Sequence, residues 1–312
     1  MFLLESKGDF MIKNKKTVIV GSVAILVSLL ISLFAMIPIN KKVDVDPWMK
    51  KVSDDKLITT MSIPGTHDSG ATHSIFDVAG KCQDINIKTQ LNIGVRFFDI
   101  RLQQVNDNFN VVHSFVDQRT KFEKVLDDMA SFVKKYPSEF LLVSIKEDAS
   151  SKNSIRAFED VLLENLNKHK DVISYDTTLP NTLKEARGKI FILSRYSSTI
   201  GIDAYIGWQD DASFAFNNLY VQDNYYIDNV NDKIDDIQNT LNIAKTNKDK
   251  LILNFTSCYL SYGFPPTYSV PPAKKINPWF IKQVSQNTDS LGIIVADFIT
   301  YEMANVIYRR NY

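Results

Sequence analysis

Short apolar runs rich in strand-forming residues recur along most of this chain, and nearly all are followed at once by charged or polar residues. The runs Leu57–Ile63, Val95–Ile100, Phe109–Val112, Phe140–Ile145, Ile190–Leu193, Leu219–Val221, Leu251–Phe255 and Gly292–Ala296 read as strands. Several are almost continuously apolar, as expected for strands covered on both faces. Apolar residues near helical spacing fall between many of them, at Phe122–Tyr136, Ser154–His169, Asn231–Lys245 and Pro278–Asn287. Alternating strands and helices require an α/β domain with a mainly parallel sheet. Eight strands over ~255 residues fit a TIM-type (β/α)8 barrel. The connections between the first three strands are less helical, so the barrel is expected to be irregular.

The polar residues at the strand ends point to chemistry. His67 and Asp68 follow the first run, and Asp99 and Arg101 close the second. His113 ends the third, and Lys146 with Asp148 the fourth. Arg195 follows the fifth, Asp223 and Tyr225 the sixth, and Asp297 the eighth. Reactive residues of such barrels gather at the C-terminal strand ends. Asp99 and Arg101 are two apart, hence on one strand face. Two histidines can serve as general base and general acid in one reaction, and an arginine fork can grip an oxyanion. The combination suggests phosphoryl transfer without a metal. His73 and His169 have no such setting and read as ordinary.

The 312 residues balance 36 Lys+Arg against 36 Asp+Glu. A nucleic-acid binder would carry a basic excess, so that class is disfavoured. The stretch 17–39 is an uncharged run long enough to cross a bilayer as a helix. Lys13, Lys15 and Lys16 precede it and should keep residues 1–16 in the cytoplasm. A retained anchor and a cleaved secretory signal both accommodate this run; its length favours the anchor. Either places the remainder outside the cytoplasm, with residues 40–54 as a linker and 55–312 as the catalytic barrel. Cys82 and Cys258 are the only cysteines. They form no disulfide framework and no zinc motif, and whether they pair is not readable from sequence.

Several segments together resemble the bacterial phosphatidylinositol-specific phospholipases C. They are Pro64-Gly65-Thr66-His67-Asp68-Ser69, Arg96-Phe97-Phe98-Asp99-Ile100-Arg101, Val112-His113, Ser144-Ile145-Lys146-Glu147-Asp148, Ser194-Arg195-Tyr196, Val221-Gln222-Asp223-Asn224-Tyr225 and Ala296-Asp297-Phe298. Their order is the family's order, across about residues 55–305. The resemblance implies an irregular TIM-type barrel and cleavage of phosphatidylinositol to diacylglycerol and inositol 1,2-cyclic phosphate. His67 matches the general base, oriented by Asp297, and His113 the general acid, with Asp68 as its partner. Arg101 matches the phosphate arginine, with Asp99 aiding the leaving-group side or holding Arg101. Lys146, Asp148, Arg195 and Asp223 match residues that bind inositol hydroxyls, although Glu147 adjoins Asp148. Tyr225 matches the aromatic that packs on the sugar. Arg101 stands where eukaryotic relatives place a calcium-binding acid, so no metal or other cofactor is expected.

The expected partners are phosphatidylinositol in membranes, glycosyl-phosphatidylinositol anchors and the membrane surface itself. The stretch Ser261–Pro272, rich in aromatics and prolines, is a candidate membrane-touching rim. No protein partner is evident. Two other functions compete. A glycerophosphodiester phosphodiesterase would carry a metal-binding Glu-x-Asp and a His-Arg pair after the first strand, and here Asp68 follows His67. A surface-anchored inositol-lipid-binding module without turnover would not need both histidines and both partner acids.

Overall fold

The computed structural model describes residues 44–74, 80–260, 269–286 and 289–312. The 17–39 run and most of the Ser261–Pro272 rim lie outside them. Among the described residues no helix is long and apolar enough to cross a membrane.

The strands run in chain order β1 (Ile63–Thr66), β2 (Phe97–Val105), β3 (Asn108–His113), β4 (Val116–Lys121), β5 (Leu141–Lys152), β6 (Ile173–Ser174) and β7 (Ile190–Arg195). Then follow β8 (Ile202–Asp203), β9 (Ser213–Phe216), β10 (Leu219–Gln222), β11 (Tyr226–Ile227), β12 (Leu251–Phe255), β13 (Tyr259–Leu260) and β14 (Ile293–Ala296). Seven of them form a parallel array in the order β7-β5-β2-β1-β14-β12-β10. The array curls until its ends approach: Arg195 at the end of β7 comes within 3.9 Å of Asp223, just past β10. The ladder does not close there among the described residues. β8 pairs with β7 and the antiparallel β9 with β10, so the barrel is open along that seam.

Two expected strands differ from the observed ones. Within Leu57–Ile63, residues Ile58–Thr60 form a 3-10 turn, with the Thr60 hydroxyl donating to the Leu57 carbonyl at 2.9 Å. The first barrel strand starts only at Ile63 and runs to Thr66. The run Phe109–Val112 is not a barrel strand at all. Asn106 and Asp107 both take positive φ (52° and 54°), the geometry of a tight hairpin turn. The chain therefore folds straight back, and β3 pairs antiparallel with β2. The parallel array thus has seven strands rather than eight.

The helices form where apolar spacing predicts, with shifted ends. Phe122–Lys135 buries Phe122, Val125, Leu126, Met129, Ala130 and Val133, one continuous stripe. Phe158–Asn167 is shorter than expected, and Val230–Thr246 matches the expected span closely. The last expected helix spans Val270–Val284 instead, with Pro271 and Pro272 in its first turn, where proline is tolerated. Ile87–Ile93, capped by Asn86, and Tyr301–Tyr308, capped by Thr300, are additional.

The polar stretch 40–54 holds three core residues, Trp48, Met49 and Val52, so the packed domain starts before residue 55. Trp48 and Met49 are wholly buried. Trp48 donates to the Gly94 carbonyl (2.9 Å) and stacks on Tyr308, with ring centroids 5.5 Å apart. Beside them lies a buried ion pair, Arg96–Glu139 (2.8 Å), whose arginine also donates to the carbonyls of Leu91, Val95 and Asp46. Gly94 ends the Ile87–Ile93 helix at φ 110°, and a Cβ there would stand 2.7 Å from the Tyr308 ring. Gly94→Ala combines a disfavoured backbone with overpacking, so it should destabilise by about 2 kcal/mol or more. A thermal melt checks this; an unchanged midpoint would show that Tyr308 yields freely.

Candidate active site

At the C-terminal mouth of the barrel, three of the expected residues sit immediately before a sharp change in chain direction. His67 follows β1, His113 ends β3 and Asp297 follows β14. The next residues, Asp68, Ser114 and Phe298, take φ values of 41°, 53° and 49°. A positive φ is uncommon outside glycine and costs energy for a bulky residue such as Phe298. The surrounding packing holds these turns: the Phe298 amide donates to the Cys82 carbonyl at 2.7 Å. Gln83 braces the floor by donating to the carbonyls of His67 and Ala296, each at 2.8 Å.

These turns bring the histidines to either side of one acid. His67 Nδ1 lies 2.8 Å from Asp297 Oδ1; in the neutral ring this contact keeps the proton on Nδ1, so that Nε2, which faces the mouth, is the basic nitrogen. Asp68 Oδ2 lies 3.6 Å from His67 Nε2 and 3.5 Å from His113 Nε2. The β2–β3 hairpin, misread as a barrel strand, is the element that delivers His113.

Arg101 lies across this group. Its Nη2 is 3.0 Å from His67 Nε2 and 3.3 Å from Asp99 Oδ2, and its Nε is 3.2 Å from Asp68 Oδ1. Its Nη1 approaches Asp148 Oδ1 at 3.6 Å. Asp99 is fully buried and links two arginines, meeting Arg195 Nη1 at 3.4 Å through its other oxygen. Arg195 in turn reaches toward Asp223 and stacks its guanidinium 3.7 Å above the Trp208 ring. Lys146 pairs with Asp148 (2.8 Å), which also accepts from the Ser114 amide. Thus Asp148, rather than its neighbour Glu147, joins the cluster. A register shift in the β2–β5 ladder leaves Asp148 outside the pairing, the signature of a β-bulge. Tyr225 donates its hydroxyl to Asp210 Oδ1 (2.9 Å) and lines the same cavity of about 300 Å³.

Sequence reading missed Asp210 and Tyr259 at this cavity, and Trp208, whose ring lies against the Arg195 guanidinium. The segment Gly-Trp-Gln-Asp-Asp at 207–211 was the available signal, an aromatic beside paired acids in a loop. Cys82 and Cys258 both line the cavity, buried and unpaired. His169 lies elsewhere, 3.0 Å from Asp127 on the exposed face of the Phe122–Lys135 helix.

The charges shift one another. Burial works against a charged His67, but Asp297 and then Asp68 outweigh it and raise its pKa above 6.5. Burial likewise opposes ionisation of Asp99, yet Arg101 and Arg195 hold its carboxyl far below the usual carboxylate range. Asp148, although buried, is pulled down to about 2 by Arg101 and Lys146. Burial pushes Asp68 upward, despite Arg101 and both histidines. Since the folded state raises the His67 pKa, protonated His67 stabilises the fold fully below about pH 6.5, and that contribution is lost as pH rises through the folded value. As a base His67 must be neutral, so the acidic limb of kcat/KM should lie above 6.5. Asp297→Asn removes the charge that holds it there. The limb should then move to lower pH, with a fall in the plateau of about 10²-fold or more. An unmoved limb in a pH–rate profile would show that another group controls it.

An open parallel barrel whose mouth gathers two histidines, an acid between them and an arginine beside them has the groups that phosphodiester chemistry needs. Comparison with known proteins agrees. Residues 61–196 match the family described as phosphatidylinositol-specific phospholipase C, X domain. The 1-phosphatidylinositol phosphodiesterase of Staphylococcus aureus is 34% identical over 278 residues, covering 81% of this chain and 88% of that protein. That of Listeria monocytogenes is 28% identical over 290 residues, covering 88% and 87%. A crystal structure of a variant of the S. aureus enzyme superposes with a TM-score of 0.74 at 30% identity, over 83% of this chain and 96% of that one. The Listeria structure gives 0.68 at 26% identity, over 85% and 98%. This chain belongs to the phosphatidylinositol-specific phospholipase C family.

Proposed function

We propose that the protein cleaves phosphatidylinositol into diacylglycerol and inositol 1,2-cyclic phosphate, with its own side chains supplying all the catalytic groups. The observation that carries this reading is the placement of His67 and His113 on either side of Asp68, with Arg101 within 3.0 Å of His67. In neutral His67 the contact with Asp297 keeps the ring proton on Nδ1, and Nε2 takes the proton of the inositol 2-hydroxyl as that oxygen attacks phosphorus. Arg101 donates to the phosphate oxygens that gain charge. His113 gives a proton to the departing glycerol oxygen, so no free alkoxide forms. Asp99 stays ionised and holds Arg101 and Arg195 apart in fixed positions. Lys146, Asp148, Arg195 and Asp223 offer charged donors and acceptors for the ring hydroxyls, and Tyr225 offers an aromatic face.

Glycosyl-phosphatidylinositol anchors carry the same phosphodiester and form a second substrate class. The uncharged 17–39 run supports a location outside the cytoplasm, either anchored to the membrane or secreted, with the aromatic rim touching the bilayer. Release of diacylglycerol from phosphatidylinositol vesicles in excess EDTA, and not from phosphatidylcholine vesicles, is the expected result. Activity that appears only on adding calcium would overturn the role given to Arg101.

A further inference from the structure

Cys82 has no place in the reaction described above, yet its sulfur lies among the reacting groups. Ligand atoms of Asp68, Cys82 and His113 all fall within 4.8 Å of one another, as do those of His67, Cys82 and Asp297. Asp68 is 2% exposed, and its Oδ2 accepts no hydrogen bond, although it is buried. That oxygen stands 3.6 Å from one imidazole Nε2 and 3.5 Å from the other. A tetrahedral ion with bonds of 2.0–2.3 Å has ligand–ligand edges of about 3.3–3.8 Å. The Asp68 oxygen and the His113 nitrogen are therefore already one such edge apart, and the Cys82 sulfur lies within 4.8 Å of both.

We propose that Cys82, Asp68 and His113 form an inhibitory site for a soft divalent cation of the zinc class, with a fourth position left for water or substrate. The cysteine proton passes to solvent as the metal–sulfur bond forms, and the His113 imidazole binds through the nitrogen that would otherwise carry a proton in catalysis. Sulfur and imidazole select zinc or cadmium over calcium or magnesium, which want oxygen ligands. Arg101, 3.0 Å from His67 Nε2, repels any cation, so an ion without strong bonds to sulfur and nitrogen gains too little to stay. Metal occupancy is a property of the cluster alone; its inhibitory effect rests on the role proposed above for His113.

The test titrates the reduced full-length protein with cadmium in chelator-free buffer and follows the ultraviolet thiolate-to-cadmium absorption. One equivalent should produce the band in the wild type and in Cys258→Ser, but not in Cys82→Ser; Cys82→Ala replaces the latter should it fail to fold. In parallel, zinc should abolish phosphatidylinositol cleavage, EDTA should restore it, and calcium and magnesium should have no effect. Cys82→Ser, active without metal, should need about tenfold more zinc or more. A missing band, or equal zinc sensitivity in the wild type and Cys82→Ser, would overturn the site. A Cys82-dependent band with full turnover would leave the site standing and refute the role given to His113.

Discussion

His67→Ala and His113→Ala should each lower kcat/KM on phosphatidylinositol by about 10²–10⁴-fold, the usual contribution of one positioned proton transfer. The two losses should differ in character. His67 removes the proton of the attacking hydroxyl, a step every substrate requires. His113 protonates the leaving oxygen, and that matters only while the leaving group is a poor one. An inositol phosphate ester of a phenol leaves readily without a proton. On that substrate His113→Ala should recover most of its lost rate, and His67→Ala should not. Equal losses of both variants on both substrates would refute the division into base and acid. Both side chains are partly accessible at the mouth, and neither fills the core, so circular dichroism should show an intact fold.

Arg101→Lys should cost about 10²–10³-fold in kcat, although the charge is kept. The three guanidinium nitrogens address four partners: Nε meets Asp68, Nη1 meets Asp148, and Nη2 meets both His67 and Asp99. An ammonium on a flexible stem cannot hold four directions at once, nor present two parallel donors to a phosphate. The change should fall mainly on kcat, because the charge on the phosphate oxygens grows toward the transition state. Steady-state kinetics checks it. A variant with unchanged kcat and raised KM would mean that Arg101 holds the ground-state phosphate and does no more.

Much of this site was legible because strand ends are legible. A short apolar run that stops at a charged residue marks both the strand and the mouth, and His67, Arg195, Asp223 and Asp297 were found that way. His113 was also found, but for an inexact reason. Its run reads the same whether β3 is a barrel strand or the return arm of a hairpin, since both bury Phe109 and Val111. Only the turn chemistry of Asn106-Asp107 separates the two. Trp48 was hidden for a different reason. The stretch around it is rich in lysines and aspartates, so local composition reads as a linker, while its indole reaches a carbonyl 46 residues away. Trp208 and Asp210 lie outside any apolar periodicity, and they come to the site only because the barrel stays open between β7 and β10. No local pattern reports an open seam.

Phosphorus NMR of phosphatidylinositol dispersed in detergent, followed during turnover by the purified protein in excess EDTA, tests the central claim most directly. Attack by the inositol 2-hydroxyl under His67 and His113 predicts that the first new signal is the five-membered cyclic phosphodiester, with any inositol 1-phosphate appearing later at its expense. An acyclic monoester formed from the start, with no cyclic intermediate, would mean that water is the nucleophile and would contradict the mechanism.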